Sequence, residues 1–150
     1  MKKTAIFYHS SHHDNTKKLV SGIEGVEAFP VNQAGEAALS QYRLIGLASG
    51  VYMGKPHASL LELAGKIAQD SRGNPPEIFA VCTSGSGGKG YARRFQAQLE
   101  ELGLPVVGAF SCRGFDTFGP WKLVGGIAKR HPDQRDLEAF RAFLERLRKS

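Results

Sequence analysis

The chain has 150 residues, 41% hydrophobic and 23% charged, with a formal net charge of +6. That length allows one full core and no second comfortable domain, so residues 1–150 read as one domain. No apolar run approaches the ~18 residues of a membrane helix, so no membrane span is expected.

The apolar stretch behind Met1-Lys2-Lys3 ends by Tyr8, too soon for a secretion signal. Cys82 and Cys112 form no CxxC pattern. Reduced thiols and a cytoplasmic location follow as the expectation. The positive balance favours anionic partners. Nucleic acid is not expected, because the basic residues are scattered and aromatics do not interleave them.

The first apolar run, TAIFYH (4–9), predicts a strand, and residues 15–24 carry Leu19, Val20 and Ile23 at helical spacing. VEAFPV (26–31) contains Pro30 and reads as an edge strand. The alanine-rich residues 33–41 have room for one short helix. YRLIGLAS (42–49) predicts the third strand, and Leu60, Leu61, Ala64 and Ile67 mark a helix over 57–69. EIFAVCTS (77–84) is the fourth strand. Tyr91, Phe95, Leu99 and Leu102 mark a helix over 90–102, stopped by Gly103. LPVVGAFS (104–111) is the fifth strand, and from Asp133 a helix carries Leu137, Phe140, Leu144 and Leu147. Residues 112–132 form a long irregular stretch, of a length that is more often functional than idle.

Strands alternating with helices predict an α/β fold, a doubly wound five-stranded parallel sheet with helices on both faces. Such sheets bind ligands outside the carboxyl ends of their strands. The segments there are His9-Ser10-Ser11-His12-His13-Asp14-Asn15-Thr16, Ser49-Gly50-Val51-Tyr52-Met53-Gly54-Lys55 and Thr83-Ser84-Gly85-Ser86-Gly87-Gly88. All three are rich in hydroxyls and glycines, which donate hydrogen bonds and let backbone approach a ligand. In the first, a helix starting near Asn15 would face a phosphate with free N–H groups, helped by Ser10, Ser11, Asn15 and Thr16. An ordinary helix cap by Asn15 or Asp14 accounts for the same residues.

Other chemistries fit less well. SGSGGKG (84–90) is not a nucleotide P-loop, because Thr83 and Gly90 stand where that motif needs a glycine and a hydroxyl residue. The neighbouring side chains of His12, His13 and Asp14 converge poorly on one ion, so no metal site is expected. Cys112-Arg113 pairs a thiol with a cation, but a small buried cysteine is the simpler reading. No catalytic residue is assigned.

The three segments resemble those of the flavodoxins. HSSHHDNT resembles the phosphate loop, a residue longer than the commonest form and with His12-His13-Asp14 where Thr-Gly often stands. ASGVYMGKPH resembles the loop lining the flavin ring, with Gly50 in place of a proline, and CTSGSGG resembles the loop at the ring's other edge. CRGFDTFGPWKLVGGIAK resembles a signature of some small bacterial flavodoxin-domain proteins. The resemblance implies strand order 2-1-3-4-5 and bound FMN. It implies cofactor contacts from Ser10, Ser11, His12, His13, Asn15 and Thr16, from Ser49, Gly50, Val51, Tyr52, Met53 and Gly54, and from Thr83, Ser84, Gly85, Ser86 and Gly87. Tyr52 stands where the family carries a residue stacked on the flavin; packing under its own loop is the alternative.

The implied function is electron transfer by bound FMN. The alternative is a flavin-dependent oxidoreductase acting on a quinone-like or aromatic substrate beneath residues 112–132, and a scaffold without flavin is a third reading. Carriers of this family are commonly acidic around the flavin, whereas here Lys17, Lys18, Lys55, Lys89, Arg93, Arg94, Arg113 and Lys122 outnumber Asp14 and Asp116. The expected partner is therefore a redox protein of acidic surface or an anionic small molecule.

Overall fold

A computed structural model describes residues 1–10, 14–52, 54–85, 88–114 and 131–150. Its strands are β1 (Thr4–His9), β2 (Val26–Pro30), β3 (Leu44–Tyr52), β4 (Lys55–Pro56), β5 (Glu77–Ser84) and β6 (Val106–Arg113). Its α-helices are α1 (Asn15–Val20), α2 (Ala58–Asp70), α3 (Lys89–Glu101) and α4 (Gln134–Lys149). The parallel sheet runs β2-β1-β3-β5-β6, and the two-residue β4 pairs antiparallel with the end of β3. Setting that small strand aside, the order is the expected 2-1-3-4-5.

Side chains alternate across a strand, so each central strand feeds two cores. Phe7, Ile45, Leu47, Ile78 and Ala80 face α2 and α3, meeting Leu60, Ala64, Phe95 and Leu99. Ile6, Leu44, Ala48, Phe79 and Val81 face the other way, onto Leu19 and Val20 of α1 and Phe140, Phe143 and Leu144 of α4. The near-continuous apolar strings in the sequence are strands covered on both faces. Gly46 leaves the room that the Phe79 ring occupies, and a Cβ there would come within 2.2 Å of that ring.

Four expectations are revised. The first helix ends at Val20 rather than residue 24, where Gly22 and Gly25 take positive φ of 72° and 78° and turn the chain into β2. Residues 33–41 do not form one short helix. Two 3₁₀ turns, Val31–Glu36 and Leu39–Gln41, take their place, and only Ala34 among them is buried, so there is no apolar stripe to hold an α-helix. The third strand runs on to Tyr52, because Val51 and Tyr52 pair back with Pro56 and Lys55 across Gly54 (φ 80°). The fifth expected strand is displaced to Val106–Arg113, which carries Cys112 and Arg113 out to the carboxyl edge. The tail helix starts where expected: Asp133 accepts the Asp136 N–H at 3.0 Å while Asp136 accepts the Asp133 N–H at 2.8 Å.

Candidate functional site

Strand register brings the three expected segments to one edge. His9 lies opposite Ser49, Gly50 opposite Thr83, and Thr83 opposite Cys112. Beyond that edge the chain must turn, and side chains tie the turns together. The hydroxyls of Thr16, in the first turn of α1, and Thr83, near the end of β5, meet at 3.0 Å in a buried contact. The Gly114 N–H donates to the Ser84 carbonyl at 2.9 Å, and an added Cβ on Gly114 would come within 2.5 Å of the Asn15 side chain. That close approach requires glycine.

The first segment is held at its start and end. Ser10 Oγ accepts the Lys17 N–H at 3.2 Å. Asp14 takes left-handed geometry (φ 55°, ψ 34°), which a short polar residue tolerates, and its carbonyl accepts the Lys18 N–H at 2.9 Å. Asn15 and Thr16 are buried directly behind this turn. Helix α1 has only six residues, so hydroxyls, amide and lysines rather than a long helix dipole define this corner.

In the second segment Ser49 is fully buried, and its hydroxyl accepts the His57 N–H at 2.9 Å, fixing the entry to α2. Gly50 lies beneath the phenol of Tyr52; a Cβ there would be 3.2 Å from the hydroxyl. The Tyr52 hydroxyl is 3.2 Å from His9 Nδ1, and its ring stands edge-on to both His9 and His57. Tyr52 is thus held upright at the strand edge, half-buried against its own loop. Val51 and Gly54 belong to the β3–β4 hairpin. In the third segment Thr83 and Gly85 are buried and Ser84 is half-buried. Ser11, His12, His13, Met53, Ser86 and Gly87 lie outside the described residues, as does most of the 112–132 stretch.

Two residues at this edge were not assigned from sequence. His9 and His57 stack face to face, ring centroids 3.5 Å apart and planes 7° from parallel. His57 caps α2, its Nδ1 accepting the Ser59 N–H at 3.2 Å. Burial first, and the neighbouring His57 second, hold His9 below the ordinary histidine pKa of 6.5. Beside the pair, between β1, β2 and α2, a cavity of about 760 Å³ opens, walled by Tyr8, Val31 and Leu63 and edged by Lys17 and Glu62. His9 ends a strand at a level where ligands are expected, but the partner that makes it notable comes 48 positions later, and no spacing rule links the two.

Cys112 is held in its neutral thiol form. Burial, and then the Asp136 and Asp133 carboxylates, push its thiol up to about 12, and burial does the same to Cys82. Among the described residues, His131, Asp133 and Asp136 bring metal-binding side chains within 4.8 Å of one another. The two carboxylates are already engaged in the capping box of α4, where Asp136 also accepts from His131 at 2.6 Å.

No protein-family model matches the chain. An uncharacterised protein of Methanocaldococcus jannaschii is 29% identical over 153 residues, spanning 99% of both chains. The crystal structure of a flavoprotein from Lactobacillus acidophilus, in complex with FMN, superposes with a TM-score of 0.52 at 23% identity, covering 72% of this chain and 91% of that one. An NADPH-quinone reductase from P. pentosaceus superposes with a TM-score of 0.54 at 16% identity, covering 94% of this chain and 96% of that one. The chain has a flavodoxin-like fold. Within that fold, the hydroxyl-lined edge described above lies outside the carboxyl ends of the strands, around the switch from β1 to β3.

The donor set fits a phosphate ester. Uncharged hydroxyls and an amide sit at the β1–α1 turn, Lys17 and Lys18 are exposed on α1, and Asp14 is the one acidic residue of that described turn. Gly54 has nothing within 4 Å of where a Cβ would stand, which leaves backbone there open to a planar group in the way a side chain would not.

Proposed function

We propose that the chain binds FMN at the carboxyl edge of β1, β3 and β5 and passes electrons to a partner. The observation that carries this reading is the convergence of the three segments in a flavodoxin-like fold, fixed by the Thr16–Thr83 contact and by the packing of Gly114 on Asn15. The FMN bound to the L. acidophilus flavoprotein supports it. Ser10, Ser11, His12, His13, Asn15 and Thr16 would hold the phosphate. Ser49 to Gly54 and Thr83 to Gly87 would flank the ring.

When bound, the flavin supplies reversible electron and proton uptake. The chain's own part is positional. Buried Ser49 and Thr83 brace the floor of the site, and Tyr52, locked to His9, walls one side. A cofactor held by neutral donors beside basic side chains suits an electron carrier whose partner has an acidic surface. The test is an absorbance spectrum of the purified protein before and after adding FMN, with the bound flavin released and identified by chromatography. Recovery of FAD, or no uptake of flavin, overturns the reading.

One observation favours a second reading, a flavin-dependent oxidoreductase acting on a quinone-like or aromatic substrate. The 760 Å³ cavity beside His9 and His57 is within the size range of small-molecule sites, and two imidazoles could exchange protons with a bound substrate. The P. pentosaceus reductase, similar over nearly its whole length, supports this reading. Turnover of NADPH and a quinone by the flavin-loaded protein alone would establish it. A requirement for a separate reductase leaves the carrier.

A further inference from the structure

A second cavity lies at the opposite, amino end of the sheet. It exists because the two 3₁₀ turns stand where an α-helix was expected and offer Ala34, Gly35 and Ala37 to the C-terminal half of α2, too little to fill the gap. The space measures about 510 Å³; half-buried Ala37 and Leu39 give it an apolar surface, and Tyr42, Ile45 and Ile67 are buried beneath them. Tyr42 itself is buried, its hydroxyl donating to Glu27 Oε2 at 2.6 Å.

The mouth is basic. Arg43, Lys66 and Arg72 line it against the single carboxylate of Asp70. Arg43 is held by neutral acceptors, Asn74 Oδ1 at 3.3 Å and the Pro75 carbonyl at 3.1 Å, so its orientation is fixed while its charge is left uncompensated. Among the described residues, the ion pairs at 4 Å or less are Lys2–Glu77, His131 with Asp133 and Asp136, and Lys149–Glu145, so neither Lys66 nor Arg72 is neutralised. Three cations on one rim repel one another, and an anion between them relieves that repulsion. An apolar floor beneath a cationic rim selects a molecule with both characters.

We propose that this cavity binds a small organic anion with an apolar body, of the aromatic or aliphatic carboxylate class. Its volume lies within the roughly 300–1,000 Å³ of small-molecule sites. The apolar body would cover Ala37 and Leu39, and the carboxylate would meet Arg43 and Arg72 in water-exposed surroundings. The site shares no residue with the proposed flavin contacts and does not depend on them.

The test uses two fluorescent probes of one apolar shape, anilinonaphthalene sulfonate and neutral phenylnaphthylamine, titrated into the full chain with FMN present in excess. The sulfonate is expected to bind at least about fivefold tighter than the amine. Arg43→Gln combined with Arg72→Gln, both changes at exposed positions, should erase that preference and leave the amine unchanged, as two exposed charge contacts of ~0.5 kcal/mol each imply. Ala37→Phe, which fills the space, should weaken both probes, with thermal melting confirming a native fold. Equal affinity for the two probes, insensitivity to Ala37→Phe, or no binding of either probe overturns the proposal. If the chain takes up no FMN, the titration still reads this cavity, so the two proposals fail separately.

Discussion

Thr16 and Thr83 are 67 positions apart in the chain, yet their hydroxyls lie 3.0 Å apart in a buried contact that joins α1 to β5. Thr16→Val keeps the shape and removes the hydroxyl, leaving Thr83 short of a partner. A buried hydroxyl so stranded costs about 1–3 kcal/mol, readable as a lower denaturant midpoint. Replacing both threonines with valine should recover much of that loss, because both polar groups leave together. FMN affinity should not recover: it should stay at least about tenfold down, with riboflavin affinity little changed, since charge-assisted bonds to phosphate are worth ~1.5–3 kcal/mol each. Equal weakening of FMN and riboflavin would show that this corner does not hold the phosphate.

The His9–His57 stack sets a pH dependence of known sign. Burial and the adjacent His57 hold His9 below 6.5, so the unfolded chain takes up a proton more readily than the folded one. This contribution is complete above pH 6.5 and is lost as pH falls through the lowered value. Melting temperature should drop on acidification from about pH 7 to 5. His57→Gln removes the second cause and uncovers one face of the His9 ring while the strand side stays covered, so it should shrink the drop without abolishing it. An unchanged profile would take the stack out of the account. His12 and His13 would act in the other direction on the ligand, strengthening FMN binding between about pH 7.5 and 6, so affinity and stability should be followed separately.

Two glycines make opposite predictions about where damage appears. A methyl at Gly46 would collide with the ring of Phe79, which is itself packed on Phe143. Gly46→Ala should cost ~1–3 kcal/mol, as overpacking of a dense core does, with flavin affinity nearly intact in the folded fraction. Gly114→Ala collides with Asn15 at 2.5–2.9 Å instead, at the proposed flavin site. It should lower FMN affinity more than it lowers stability. Matched effects from the two variants would mean that Gly114 serves the core alone.

Where a single strand or helix carried its own pattern, the sequence was legible. The buried strings of β1, β3 and β5, the Leu60–Ala64–Ile67 stripe of α2 and the Asp133 start of α4 each depend on neighbours in the chain. The three segments that meet at the carboxyl edge were legible for the same reason: each ends a strand. The stacked pair was not, because His9 meets His57 only through the register of β1 on β3 and the Ser49 hydroxyl that sets the entry to α2. Nor was the lower cavity. It depends on Val31–Gln41 folding as tight turns, and the alanines there that suggest helix by propensity have no apolar face to bury as one.

Both thiols should be inert in the folded protein. Cys82 and Cys112 are buried, and each is pushed up to about 12, so the reactive thiolate is scarce at neutral pH. Iodoacetamide at pH 8 should label neither until denaturant is added, and then both, as read by mass. Rapid labelling of Cys112 in the native state would mean that the end of β6 opens readily.

The basic surface makes the last prediction. Lys17, Lys18, Lys55, Lys89, Arg93, Arg94 and Arg113 are all exposed, on the loops and first turns next to the proposed site. Among the described residues, Asp14, Glu62, Asp133 and Asp136 are the carboxylates that oppose them around this edge. Positive charge near a flavin favours its reduced, negatively charged form, so the midpoint should lie above that of a carrier with an acidic surround. Screening has a range of ~8 Å at physiological ionic strength, so the effect should fade with salt if these side chains are its source. Titration with dithionite against reference dyes, at low and high salt, reads both quantities. Reversing Lys55 and Arg113 to glutamate together should lower the low-salt potential and flatten its salt dependence. A potential as negative as that of acidic carriers and unmoved by salt would place these charges beyond reach of the flavin, and the preference for an anionic partner would then rest on encounter alone.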